Sequence, residues 1–113
     1  MGSLFGGRLA QAGTDVALFD INQAHLDAVR SNGLTIEDAA SGAAEVCRPG
    51  TAAEAEELAK AEFLLVFVKS AATEAVARRF AAVAAPGAIA VTVQNGLGNE
   101  AILKAHFGAS RTA

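Results

Sequence analysis

The sequence predicts an α/β domain built as a doubly wound parallel sheet. Three observations carry this. Residues 15–19, 63–68 and 88–93 are short runs that are apolar on both faces, as in strands covered by helices on either side. Helical stretches alternate with these runs, which implies parallel strands joined by right-handed crossovers. Polar residues then stand at the strands' carboxyl ends, Asp20, Lys69 and Asn95. That is the edge where such sheets hold their ligands, so the three are expected to converge.

The elements follow in order. Residues 3–12 read as a helix whose bulk is Leu4, Phe5 and Leu9. Gly2 and Gly6 lie four apart on one face, where a helix close to a sheet or a phosphate wants no side chain. Gly13 ends it, as glycine commonly does just past a helix. The strand 15–19 sets Val16 and Leu18 on one side and Ala17 and Phe19 on the other. Asn22 is placed to cap a helix over 23–31, with Leu26, Val29 and Ala24 inward. Asn32-Gly33 is a turn signal. Residues 34–37 alternate like a strand, and 44–48 pair back as a hairpin. Pro49-Gly50 breaks the chain. Thr51-Ala52-Ala53-Glu54 reads as a capping box that opens a helix to about Lys60, with Glu54, Glu56 and Glu57 on its solvated face. The run 63–68 is the strongest strand and belongs at the sheet's centre. Residues 72–85 form a helix with Val76, Phe80 and Val83 inward and Arg78 and Arg79 outward, stopped by Pro86-Gly87. After the strand 88–93 comes a glycine-loosened loop, 94–98. Asn99 caps the last helix, 100–107, and Gly108 ends it.

Composition narrows the class. A chain of 113 residues is one domain or part of one. It is 52% hydrophobic, but alanine supplies nearly half of that, so the core is modest. Alanine at this density favours helices that pack closely on a sheet. The net charge of -3 and the lack of a basic run argue against a nucleic-acid or acidic-membrane partner. The longest run of large apolar residues, 63–68, is too short to span a bilayer. No basic-then-apolar leader pattern stands at the N-terminus. The single cysteine, Cys47, forms no internal disulfide and excludes a four-cysteine zinc site. Neither Cys47 nor His106 has a ligand-like neighbour, and both read as structural, so no metal is expected. The expectation is a cytoplasmic enzyme, or a fragment of one, acting on a small molecule.

The first twenty residues point to the ligand. A helix starting at Gly2 and Ser3 offers backbone N–H groups and a favourable dipole to a pyrophosphate. Asp20, eighteen residues after Gly2, is placed to accept hydrogen bonds from both ribose hydroxyls. Each feature also has a plainer reading: helix packing for the glycines, a helix start for Asp20. Together they make a Rossmann-like dinucleotide unit. An acid at position 20 repels a 2′-phosphate, and Ile21, Asn22 and Gln23 offer no arginine. His25 and Arg30 are the nearest cationic candidates, so the chemistry leans to NAD over NADP. Lys69 either reaches solvent or sets its ammonium beside the cofactor ribose or a substrate carboxylate. Asn95 is either a turn residue or a hydrogen-bonding contact to the nicotinamide ribose or a substrate oxygen.

Phe67-Val68-Lys69-Ser70, followed by Gln94-Asn95-Gly96-Leu97-Gly98-Asn99-Glu100, resembles the ketopantoate reductase family. Asp20 to His25 with Asn32-Gly33-Leu34 is similar to it as well. The resemblance covers essentially the whole chain as the family's N-terminal nucleotide-binding domain. It implies reduction of 2-dehydropantoate to pantoate with NADPH, on the way to coenzyme A. It makes Gly2 similar to the third glycine of G-x-G-x-x-G, Lys69 similar to a cofactor-contacting lysine, and Asn95 similar to an asparagine that touches cofactor and substrate. Ile21 departs from the basic residue many relatives place there. The family's proton-donating lysine and a second active-site glutamate belong to a helical C-terminal domain, expected to be absent from residues 1–113. No catalytic residue is therefore expected within them, beyond a substrate contact from Asn95, and a homodimer is left open. Other hydroxy-acid dehydrogenases and a non-catalytic nucleotide-binding module are the competing readings.

The resemblance also implies that the chain starts inside its own motif, without the first, central strand. The strands at 15–19 and 63–68 would then face a gap two strand spacings wide, roughly 9–10 Å. Unpaired buried amides cost on the order of 1–3 kcal/mol each. The chain alone is expected to fold poorly, to bring these strands together, or to borrow a strand.

Overall fold

A computed structural model describes residues 2–94 and 97–113. The chain is mixed α/β and divides into two compact units, Met1–Glu54 and Ala55–Ala113. Among the described residues the strand ladders form three two-stranded pairs rather than the one sheet expected.

The first unit holds α1 (Gly2–Gln11), β1 (Ala17–Phe19), α2 (Gln23–Asn32), β2 (Leu34–Glu37), β3 (Ala44–Cys47) and β4 (Gly50–Ala52). α1 ends as its sequence requires. Gly13 adopts φ 92°, a left-handed conformation that a side chain would strain. Its N–H reaches Ala10 O at 3.1 Å and that of Thr14 reaches Leu9 O at 3.0 Å, which satisfies two of the helix's last carbonyls.

α1 lies against two surfaces. A Cβ added at Gly6 would stand 2.5 Å from Leu18 Cδ2. One at Gly7 would stand 2.6 Å from Ile36 Cδ1 and 3.0 Å from both Cys47 Sγ and Leu34 Cδ2. Gly6 therefore meets β1 and Gly7 meets the antiparallel β2–β3 hairpin, whose register pairs Leu34 with Cys47 and Glu37 with Ala44. The hairpin was legible in sequence; Gly7 was not.

β4 corrects the sequence reading. Residues 50–52 form a strand parallel to β1, pairing Ala17 with Gly50 and Phe19 with Ala52. The expected helix from Thr51 to Lys60 shrinks to one 3-10 turn, Ala55–Leu58. The Thr51 hydroxyl, needed for a capping box, instead accepts from Arg30 Nε at 3.1 Å. The Gly50 N–H donates to Val16 O at 2.8 Å, where a Cβ would sit 3.2 Å from that oxygen. Ladder pairing thus satisfies backbone groups that a helix start would have left over.

The second unit holds that 3-10 turn, β5 (Phe63–Val66), a second turn (Ser70–Ala72), α3 (Thr73–Ala81), β6 (Ile89–Thr92), α4 (Asn99–Phe107) and a last turn (Ala109–Arg111). β5 and β6 are parallel, from Phe63–Ile89 to Val66–Thr92. Thr112 bridges Ala90 in parallel, which gives β6 a short contact on its other side. β5 is shorter than expected and is not central: among the described residues it pairs only with β6. Its Phe63 and Leu65 are 60% and 40% exposed. The inner stripe of α3 is Thr73, Ala77 and Phe80, with Val76 and Val83 half-buried. Phe80, Leu103 and Phe107 are buried, as are Ala77, Ala88 and Ala90. Each fully buried large side chain stabilises by about 1.5–3 kcal/mol, and the small alanines let the helices approach.

Two carboxylates carry a pH dependence. Hydrogen bonding and charge from His106, with Arg78 beside it, hold Glu74 below its ordinary value of 4.5. The Ala40 and Ser41 amides and the Ser41 hydroxyl do the same for Asp38 below 3.8. Both folded-state values are lowered, so their stabilisation is complete above the unfolded values. It is lost as pH falls through the folded ones. The urea midpoint of Asp38→Asn is expected to lie below that of the parent at pH 6, and the gap should close on acidification below about pH 4. A gap that is the same at both pH values would contradict this. Gly7→Ala is expected to lower stability by about 1–2 kcal/mol in urea melts, because overpacking on three sides exceeds the helix-propensity gain. Gly6→Ala should be milder, since one leucine methyl can swing away.

Candidate functional site

In the first unit the candidate residues gather where two helices begin. Gly2 and Ser3 form the first turn of α1, whose leading amides have no acceptor within the helix. Ser3 Oγ lies 3.0 Å from His25 Nε2 in the first turn of α2. Asn22 caps α2, its Oδ1 accepting the His25 N–H at 3.1 Å. Asp20, exposed after β1, accepts the Asn22 N–H through Oδ1 at 3.0 Å. The Ser3–His25 contact therefore brings the start of α1 to the helix that follows Asp20. Of the two cations weighed for a 2′-phosphate, only His25 lies here. Arg30 is in the last turn of α2, held by Thr51 and by Asp27 at 3.7 Å. Ile21 is 90% exposed.

A cavity of about 410 Å³ opens in this unit beside Leu4, Phe5, Arg8, Glu37, Asp38 and Ala39. Its lining includes neither Ser3 nor Asp20, and it is not the expected site.

In the second unit Lys69 follows β5 in an extended conformation, exposed, with its carbonyl accepting the Ala72 N–H at 2.8 Å. Its ammonium makes no hydrogen bond or ion pair to another described residue. Asn95 lies outside the described residues. Asp20 and Lys69 each occupy the carboxyl end of a strand of their own unit.

The sequence reading missed what surrounds Lys69. Gln94 Nε2 donates to Val68 O at 2.5 Å and to Thr73 Oγ1 at 2.8 Å. Thr73 Oγ1 donates to Asn99 Oδ1 at 3.0 Å, and Asn99 Nδ2 donates to Ser70 Oγ at 3.1 Å. Thr92 Oγ1 donates to Gln94 Oε1 at 2.9 Å. Thr73 and Asn99 are 0% and 3% exposed. Asn99 was expected to cap α4. Instead Gly98, at φ 92°, precedes the helix and the Asn99 side chain turns inward. One sequence signal pointed here: Thr73 is a polar residue in register with Ala77 and Phe80 on the buried stripe of α3. Among the described residues no three His, Cys, Asp or Glu side chains are placed to hold a metal. None of their helices is long and apolar enough to cross a membrane.

Parallel strands, intervening helices and a helix start beside a strand-end acid define the class, a Rossmann-like dehydrogenase fold. The D-mandelate dehydrogenase solved with NADH and anilino(oxo)acetate shares that fold, with TM-score 0.85 at 21% identity over 99% of this chain and 36% of its own. The family model described as ketopantoate reductase PanE/ApbA matches residues 1–113. A 2-dehydropantoate 2-reductase of Halobacterium salinarum is 39% identical over 109 residues, 96% of this chain and 35% of the relative. A PanE/ApbA family ketopantoate reductase from Ralstonia eutropha JMP134 superimposes with TM-score 0.83 at 28% identity, over 92% of this chain and 34% of its own. The chain belongs to the ketopantoate reductase family. It spans about a third of the length of these relatives.

Proposed function

We propose that residues 1–113 are the cofactor-binding part of an NAD(P)H-dependent oxidoreductase that reduces 2-dehydropantoate to pantoate in the cytoplasm. The observation that carries the cofactor half of this reading is the Ser3–His25 contact, 3.0 Å. It brings a helix start suited to a pyrophosphate to the segment that follows a carboxylate suited to a ribose. The substrate half rests on the family and on the resemblance at residues 67–70 and 94–100.

The group fits the residues present. The leading amides of α1, at Gly2 and Ser3, would hold the pyrophosphate. Gly6 and Gly7 leave no Cβ to push α1 off the strands behind it, so those amides keep their place. Asp20 would accept from the ribose hydroxyls through the oxygen that Asn22 does not use. The bound nicotinamide supplies a hydride for the C2 carbonyl. Lys69 would place its charge beside the substrate carboxylate or the cofactor ribose, and Asn95 would hydrogen-bond both molecules.

For the choice of cofactor, the Asp20 carboxylate, the apolar Ile21 and the engagement of Arg30 with Thr51 and Asp27 favour NADH. In fluorescence titrations NADH is expected to bind more tightly than NADPH. Asp20→Ala should weaken NADH about tenfold and NADPH little, as expected where a hydrogen-bonded ribose hydroxyl loses its acceptor. Tighter binding of NADPH by the parent would sink the assignment.

The reaction is tested on protein expressed from the complete reading frame that carries these residues. Oxidation of NADH or NADPH should depend on 2-dehydropantoate and yield pantoate. If the cofactor binds but other 2-oxo acids are reduced and 2-dehydropantoate is not, the fold assignment stands and the substrate changes.

A further inference from the structure

The hydrogen-bond chain in the second unit does more than satisfy buried polar atoms. It begins at Thr92, the last residue of β6, and passes through Gln94, Thr73 and Asn99 to Ser70. A branch from Gln94 takes Val68 O, two residues past the end of β5. The chain thus ties the segment after β5 to the segment after β6 through the first residues of α3 and α4. Ladder pairing cannot do this, because the strands have ended: the last registered pair is Val66–Thr92. Every link from Thr92 to Ser70 is a side chain, and two of the side chains are almost wholly buried.

Apolar packing would have been the simpler way to fill the space under these loops. Buried polar chains stabilise little in net terms, but they demand one geometry. A threonine hydroxyl at position 73 can take from Gln94 and give to Asn99 only while both loops keep their separation and direction.

We infer that Thr73, Gln94 and Asn99 are positioning residues that hold the Lys69–Ser70 segment and the end of β6 through Gln94 in fixed relation, so that Lys69 meets the cofactor or substrate pre-oriented. The link to Lys69's contact rests on the proposed function. The tie itself does not. Lys69 directly precedes Ser70, the chain's terminal acceptor, and its own exposed side chain has no described partner to steer it. Its position comes from the backbone, which is tied before Lys69 at Val68 O and after it through the Ser70 side chain.

The experiment compares Thr73→Val, Thr73→Ser and Ser70→Ala with the parent in the complete reading-frame protein. Amide hydrogen exchange and NADH and NADPH titration are read on each. Thr73→Val keeps the shape and removes the relay. It should speed exchange at Lys69, Ser70 and Gln94, leave the β5–β6 ladder unchanged, and raise the cofactor's dissociation constant or the KM for 2-dehydropantoate about tenfold. Thr73→Ser should restore all of these to within about twofold, because the hydroxyl returns. Ser70→Ala breaks the part-buried Asn99–Ser70 link, and keeps the test alive if Thr73→Val fails to fold. It should give the same pattern, more weakly. Unchanged exchange in both segments would overturn the inference. So would exchange that rises equally across the ladder, or loosened segments with unchanged affinity and KM. If the parent binds neither cofactor and reduces nothing, the functional reading fails, while the exchange pattern still decides whether the tie exists.

Discussion

The packing of the first unit depends on how near α1 can come to its neighbours. Position 6 faces β1 and position 7 faces the β2–β3 hairpin, each so near that an added methyl group would force a side chain to move. Glycine is a poor helix former, by about 1 kcal/mol relative to alanine. Two in succession are tolerated because contact with two surfaces outweighs that loss. The close approach also sets the height of the helix start. Were α1 lifted outward, Ser3 would leave His25, and the helix start would part from the helix that follows Asp20. The packing constraint and the proposed phosphate site are therefore one geometric fact.

The second unit solves a different problem. Its core mixes small and large residues, with Ala77, Ala88 and Ala90 buried as fully as Phe80, Leu103 and Phe107. Alanine allows close contact but gives little shape to hold a loop in place. Directional bonds supply what the smooth packing lacks. Side-chain amides and hydroxyls reach from β6, α3 and α4 to the segment around Lys69. The surface pair of Glu74 with His106, 2.8 Å apart, adds a further link between α3 and α4.

Much of this was legible in the sequence. The helices, their glycine stops and the hairpin all follow from local chemistry: Gly13 and Gly108 have positive φ, Asn22 caps α2, and residues 34–37 pair with 44–47. What was not legible depended on partners far along the chain. Thr51 and Glu54 form a good local capping box, but the free edge of β1 competes for residues 50–52 and prevails. Asn99 is a good local cap, yet it turns inward because Thr73 and Ser70 await it. The run 63–68 reads as a central strand from its composition, while its ladder ends at Val66 and the Val68 carbonyl is met by the Gln94 amide instead. Gly7 was passed over because nothing in its own neighbourhood reveals that the hairpin arrives there. Asp20 and Lys69 were found at strand ends because strand ends are a local property. The network around Lys69 was not, because its members span residues 68–99.

One backbone carbonyl dictates the sense of that network. Val68 O can only accept, so the Gln94 amide must turn its nitrogen there. Thr73 then receives from Gln94 and must give to Asn99, and Asn99 must give to Ser70. The hydrogens run one way along the whole path, and this bears on chemical ageing. Deamidation turns an amide nitrogen into an oxygen. At position 99 the new oxygen would meet the Ser70 hydroxyl, a group able to donate as well as accept, though a charge would then sit at a site only 3% exposed. At position 94 the new oxygen would meet the Val68 carbonyl, which can reverse nothing. The two amides look alike in sequence, but only at position 94 does losing the nitrogen set an oxygen against one that can never donate.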